Sequence, residues 1–267
     1  MRVVAYFLVG YGVMVGLAYL MQQRMTYFPE RQSFPGLKSQ VATAGLKLWP
    51  SEDADYLGLT RANDLIDSKG TVVVFHGNAG AAVHRFYYIQ ALEKLSYRVV
   101  VNEYPGYGAR SGRPGEQAFI TAARQLVEKV HDLYGEPIYL WGESLGCGVA
   151  TAVAAQLPVP IAGVILLTPW NSLPQLAQKL YWYLPARWLV RERYDNVANL
   201  AQYPGPVAVV MAGKDEIVPP SLSEALYEAL SSPKEKWVFA GAGHNTWPAG
   251  SEEAWWQAVM IFVAGGK

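Results

Sequence analysis

Val3 to Met21 are 19 consecutive positions without a charge, interrupted only by Gly10, Gly12 and Gly16. A helix rising about 1.5 Å per residue covers nearly 30 Å over that run, the hydrocarbon thickness of a bilayer. A signal-peptide core is shorter, about 7–15 residues, and ends in small residues. Here the exit reads Ala18-Tyr19-Leu20-Met21-Gln22-Gln23-Arg24. The pattern therefore predicts an uncleaved transmembrane anchor over residues 3–21, with a cleaved signal and a buried core helix as the alternatives. Arg2 on one side against Arg24, Arg31 and Lys38 on the other leans weakly towards a cytoplasmic catalytic part.

Residues 22–66 are poorly patterned, with turn formers at Pro29, Pro35-Gly36 and Pro50. Within them Leu46–Trp49 and Tyr56–Leu59 read as edge strands. From Lys69 the pattern becomes regular. Strands are expected at Thr71–Phe75, Arg98–Val101, Ile138–Trp141, Val164–Leu167, Val207–Met211 and Trp237–Phe239. Helices are expected at Ala81–Ser96, Glu116–Tyr134, Leu145–Leu157, Ser221–Leu230 and Glu252–Val263. The helix Glu116–Tyr134 is the clearest, with Phe119, Ile120, Ala123, Leu126, Val127, Val130 and Leu133 on one face. Continuous apolar strands alternating with helices predict an α/β fold, a mostly parallel sheet covered on both faces. Residues 67–267 read as one catalytic domain, and its chemistry is expected in the loops after the strands.

Composition narrows the function classes. The 267 residues are 51% hydrophobic and 16% charged, with 22 basic against 22 acidic side chains. Low hydrophobicity with high net charge, the mark of intrinsic disorder, is absent. Zero net charge argues against a nucleic-acid partner, which needs a Lys/Arg surplus. The single cysteine, Cys147, excludes an intramolecular disulfide and a multi-Cys metal site.

The sharpest motif is Gly142-Glu143-Ser144-Leu145-Gly146, between a predicted strand and a predicted helix. That is the context of a nucleophile elbow, where a serine sits in a strained turn and flanking side chains would strike neighbouring backbone. A serine hydroxyl needs a base, and the base an orienting acid. Of the four histidines only His244 follows the last predicted strand, in Gly241-Ala242-Gly243-His244-Asn245. His131 reads as a helix-surface residue, His84 lies near a helix start, and His76 is expected to bond loop backbone. After the strand Val207–Met211, Ala212-Gly213-Lys214-Asp215-Glu216 offers Asp215 as the acid, with Glu216 or Asp195 as alternatives. Two N–H groups for an oxyanion hole are expected from Leu145 and Asn78. A phosphate loop at Gly77-Asn78-Ala79-Gly80 is disfavoured because no G-K-[ST] or G-x-G-x-x-G follows.

His76-Gly77-Asn78-Ala79-Gly80, Tyr104-Pro105-Gly106-Tyr107-Gly108 with Ser111-Gly112, and the Ser144 motif together resemble the α/β-hydrolase superfamily. More narrowly they resemble its membrane-anchored serine hydrolases, a subgroup that includes depalmitoylases and lysophospholipases. Met25-Thr26-Tyr27-Phe28-Pro29 at the anchor exit is similar to that subgroup as well. The resemblance implies ester or thioester hydrolysis of a lipid-like, acylated or other small substrate, with Ser144 as nucleophile, Asp215 as acid and His244 as base. It implies no cofactor and no metal. A peptidase or acyltransferase with the same triad, and a non-catalytic membrane receptor or scaffold, are the alternatives. Cys147 stands where a further glycine is common and is expected to be a small buried filler. Pro169–Pro204 falls between the sixth and seventh strands of that fold, where a cap would be inserted. Its Leu180-Tyr181-Trp182-Tyr183-Leu184 and Arg187-Trp188-Leu189-Val190-Arg191-Glu192-Arg193 suit either rings filling space above the sheet or contact with a membrane interface.

Overall fold

The computed structural model describes residues 2–63, 65, 67–135, 137–156 and 158–265. Ile66, Leu157 and Lys267, which end three of the expected segments, lie outside the described residues. The β-branched runs form the middle of an eight-stranded sheet. In chain order its strands are β1 (Leu46–Trp49), β2 (Gly58–Arg61), β3 (Thr71–Phe75), β4 (Arg98–Asn102), β5 (Ile138–Glu143), β6 (Gly163–Leu167), β7 (Val207–Ala212) and β8 (Lys234–Phe239). Their spatial order is β8-β7-β6-β5-β3-β4-β2-β1. Strands β3 to β8 pair in parallel, while β2 runs antiparallel to both β4 and β1.

Alternate residues of a strand face opposite ways, so each central strand feeds two cores. Val73, Phe75, Leu140 and Leu166 pack with Phe119 and Leu126 of α4 (Glu116–Tyr134) and Val149 of α5 (Leu145–Gln156). Val72, Val74, Trp141 and Ile165 pack on the other face. There they meet Leu37 of α2 (Phe34–Thr43), Tyr88 of α3 (Phe86–Glu93) and Trp256 of α10 (Ala254–Val263). Burial on both faces is why these strands carry unbroken apolar runs instead of alternation.

Several elements depart from expectation, each for a local reason. Residues 22–66 supply more than edge strands. Their second strand starts at Gly58, not Tyr56, and lies inside the sheet between β1 and β4. Tyr56 instead turns inward, fully buried, and its hydroxyl accepts from the Ala109 N–H at 3.0 Å. Helix α2 starts at an N-cap, Ser33, with Pro35 in its first turn, a start signal present in the sequence. The stretch expected to be helical from Ala81 first forms a 3₁₀ turn, Ala82–Arg85, and only then α3. The Ala82 N–H is held by the buried Glu103 carboxylate and the Ala81 N–H by His84 Nδ1, which ties the opening donors to side chains. Helix α4 matches its expected bounds, yet Leu133 points to solvent.

The helix α1 (Arg2–Thr26) is longer than the expected 3–21 and buries none of its residues. It is long and apolar enough to cross a membrane. Its exit is fastened to the body. Phe28–Pro29 forms a short parallel ladder with Ala79–Gly80, and the Asn78 side-chain amide donates to the Thr26 carbonyl at 2.7 Å. Tyr27 is buried edge-on against Phe119, and its hydroxyl meets Tyr194 and Glu192.

Under α10 an aromatic cluster closes one core. Trp256 stacks on Trp255 with ring centres 4.2 Å apart and also meets Trp141, Tyr88 and Trp247. Trp256→Ala is expected to cost about 3–5 kcal/mol through lost contacts and the void left behind. Urea unfolding in detergent, followed by circular dichroism, measures it. A loss under about 1 kcal/mol would mean that the cluster is not a principal support of that core.

Candidate active site

Strand β5 delivers Ser144 and helix α5 departs from it, with Ser144 itself at φ +52°. A side chain in the left-handed region is strained, and here close packing on both sides enforces it. A Cβ on Gly142 would come within 2.5 Å of the Cys147 Cα, and one on Gly146 would strike the Phe75 carbonyl. Only glycine at both positions lets α5 approach the ends of β3 and β5 this closely. Cys147 is fully buried behind the turn, its Sγ near the carbonyls of Gly142 and Leu167. Burial pushes its thiol pKa well up, so it is held as the neutral thiol.

His244 lies in the loop after β8 and Asp215 in the loop after β7. His244 Nε2 is 3.0 Å from Ser144 Oγ, and its Nδ1 is 2.7 Å from Asp215 Oδ2. All three residues are buried. The other Asp215 oxygen accepts from the N–H groups of Ile217 and Val218, at 2.9 and 2.7 Å. Those bonds fix the carboxylate plane against the imidazole. Glu216 points elsewhere and accepts from the His244 N–H, while Asp195 caps α8 (Asn196–Leu200) through Ala198. Neither alternative acid reaches the His244 ring.

The remaining histidines sit apart from this group. His76 is buried, its Nδ1 2.8 Å from the Gly77 carbonyl oxygen and its ring beside Tyr104. His84 lies 3.6 Å from Glu30, and His131 is a surface residue of α4 next to Asp132. Asn78 and Leu145 line the same cavity as Ser144 and His244. Leu145 opens α5, where first-turn N–H groups have no partner inside the helix. The Asn78 carbonyl is held by the Phe28 N–H and the Tyr107 hydroxyl, which fixes the loop after β3.

The cavity measures about 520 Å³, within the usual range for small-ligand sites. One wall is the cap, with Leu173, Leu176 and Leu180 of α6 (Leu173–Leu180) and Leu189 of α7 (Ala186–Leu189). Another wall is α1, through Ala18, Gln22 and Met25. Local pattern carries no sign that the N-terminal helix lines the cavity.

Glu143 is a second feature that sequence reasoning missed. Beside Ser144, its carboxylate accepts from the hydroxyls of Tyr87 and Tyr88 at 2.8 Å each, and from Arg85 Nε at 3.3 Å. Burial alone would raise its pKa, but the Arg85 guanidinium and the two hydroxyls outweigh burial and hold it below the usual carboxylate range. A depressed carboxylate adds stability that is fully present above its unfolded value of about 4.3 and fades as pH falls through the folded value. Glu143→Gln leaves Arg85 buried without its counter-charge and is expected to cost about 3 kcal/mol at pH 7. The gap to wild type should start to narrow below about pH 4.3 and close as pH falls through the lower folded value. Melting temperatures of both proteins across pH test this, and a gap of constant size would reject the charge pairing as the cause.

A family model for the alpha/beta hydrolase fold matches residues 70–201. An uncharacterised protein of Mycobacterium tuberculosis is 34% identical over 228 residues, which cover 84% of this chain and 80% of that one. The lysophosphatidylserine lipase ABHD12 of Danio rerio is 30% identical over 186 residues, 62% of this chain and 49% of the lipase, so this chain spans about half the length of that relative. Among solved structures, an esterase of Pyrococcus furiosus superposes with a TM-score of 0.63 at 18% identity, covering 90% of this chain and 98% of its own. A monoacylglycerol lipase of Paleococcus ferrophilus gives 0.56 at 22%, covering 74% and 95%. At such identities the solved structures speak for the fold alone, and the sequence relatives carry the kinship. The chain belongs to the α/β-hydrolase fold family.

Proposed function

We propose that the protein is a membrane-anchored serine hydrolase that cleaves an ester or thioester of a lipid-like or acylated substrate. One observation carries this reading. A single imidazole, His244, lies within hydrogen-bond distance of both a serine hydroxyl in a strained turn and a buried, backbone-held carboxylate. The apolar walls of the cavity and the lipase among the relatives support a substrate with an acyl chain. The length and apolarity of α1 support the anchor.

In this mechanism His244 Nε2 takes the proton of Ser144 as Oγ attacks the substrate carbonyl carbon. The carbonyl oxygen becomes an oxyanion, stabilised by the N–H groups of Leu145 and Asn78. Asp215 keeps the imidazole in the tautomer with Nε2 free and stabilises the imidazolium. When the intermediate collapses, the bond to the alcohol or thiol breaks, and the leaving group takes the proton from His244. Ser144 is left acylated. Water then attacks in the same way, giving its proton to His244, and the free acid departs as Ser144 regains a proton.

A fluorophosphonate probe is expected to label the wild type and to lose all labelling in Ser144→Ala. Asp215→Asn is expected to keep the fold and lower turnover of a short-chain p-nitrophenyl ester by roughly 10²–10⁴-fold. Gel fluorescence and ester hydrolysis measure these outcomes. A folded wild type that takes no label would favour a hydrolase-like receptor instead.

A further inference from the structure

The cap reaches far along α1. The Tyr11 hydroxyl donates to the Tyr183 carbonyl at 3.1 Å, and Tyr11 is next to Gly12, the midpoint of the uncharged run Val3–Met21. At the other end of the cap the Arg191 N–H donates to Gln22 Oε1 at 2.9 Å, and the Arg191 guanidinium lies 4.1 Å over the Tyr19 ring. Between these contacts Val15 and Ala18 pack against Ala177, Leu184 and Ala186. From Tyr11 to Gln22 the helix rises about 16 Å, close to the hydrocarbon half-thickness of a bilayer. If α1 crosses a membrane, its partner along that length lies at acyl-chain depth.

The surface of the cap fits that depth. Trp182 and Trp188 are 78% and 75% exposed, and Leu180 and Tyr183 are exposed beside them. Such a cluster in water would be a site of association. Within hydrocarbon, backbone groups must be bonded internally, and several groups of the cap tip are. Its N–H groups at Tyr181, Leu184, Trp188 and Val190 donate to carbonyls within the cap, and Gln178 bridges the Leu184 carbonyl and the Arg187 N–H. Arg191 sits at the level of Tyr19 and Gln22, where the uncharged run ends. The Arg187 guanidinium lies 4.5 Å over the Trp188 ring, and its long stem can carry the charge outwards.

The cavity runs from Ser144 and His244 to the seam between the two elements, bounded there by Ala18 and Tyr19 of α1 and Leu180 of the cap. We infer that the cap tip is submerged in one leaflet beside α1, and that the acyl chain of a single-chain lipid enters the cavity sideways from that leaflet. This rests on the anchored-hydrolase reading above. The substrate reaches Ser144 without leaving the membrane, and its head group stays at the level of Arg191.

The full chain in phosphatidylcholine vesicles tests the depth. Of the nine tryptophans, Trp182 and Trp188 are the exposed ones. Lipids brominated near the middle of the acyl chain are expected to quench wild-type fluorescence, with most of that quenching lost in Trp182→Phe/Trp188→Phe. Equal quenching in both proteins, or none in the wild type, overturns the submerged cap. A second arm reads the route. Aspartate is strongly disfavoured in hydrocarbon, so Trp182→Asp/Trp188→Asp is expected to lower fatty-acid release from a vesicle-embedded monoacyl phospholipid by more than about tenfold. Hydrolysis of p-nitrophenyl butyrate in detergent is expected to change little, because neither tryptophan lines the cavity. Unchanged release from vesicles, or equal loss of both activities, overturns entry from the leaflet. A wild type that hydrolyses neither ester would sink the hydrolase reading and the entry route with it, while bromine quenching still decides where the cap lies.

Discussion

The structure depends on how closely α5 is allowed to approach the ends of β3 and β5. Ser144 has to turn through a left-handed backbone conformation to leave the strand and enter the helix within one residue. That turn is tolerated because Gly142 and Gly146 have no Cβ to meet Cys147 and Phe75. The same closeness aims the first turn of α5 at the cavity and puts Leu145 beside the loop after β3. Loops after β7 and β8 then need only bring Asp215 and His244 to the same end of the sheet, as parallel pairing of β5 through β8 ensures.

A second layer of support surrounds that turn. Glu143 is fixed by Arg85, Tyr87 and Tyr88, so the residue preceding the serine is tied to α3 and its 3₁₀ lead-in. The loop after β3 is tied in turn to the exit of α1 by the Phe28–Ala79 ladder and the Asn78–Thr26 bond. The N-terminal helix is thus coupled by backbone pairing to the loop facing Ser144. Tyr27, with Tyr194 and Glu192, extends the coupling to the cap. Burial raises the Glu192 carboxyl above its ordinary value, against the opposing pull of the Tyr27 hydroxyl and the Glu116 N–H that donate to it.

Much of the architecture was legible because its causes are local. Apolar runs with no polar alternation can persist only in strands covered on both faces, and α4 carries its helical period from Glu116 to Tyr134. Where side chains take over backbone donors, the reading fails. Ala81 and Ala82 look helical until Glu103 and His84 claim their N–H groups. Leu133 fits the apolar face of α4 by period, yet it is exposed.

The candidate site divides in the same way. Glycine spacing and strand order point to Ser144, Asp215 and His244, and the structure brings their side chains into one hydrogen-bonded row. Sequence alone determined the strand–turn–helix context of Ser144 and the apolar length of α1, since both are demands on consecutive residues. Only the tertiary structure decided that α1 forms a wall of the cavity, that the cap runs along it to Tyr11, and that Glu143 is held by Arg85, Tyr87 and Tyr88. Those contacts join segments up to 172 residues apart. They follow from how the faces of the sheet and helices pack, and no periodicity within either segment encodes them.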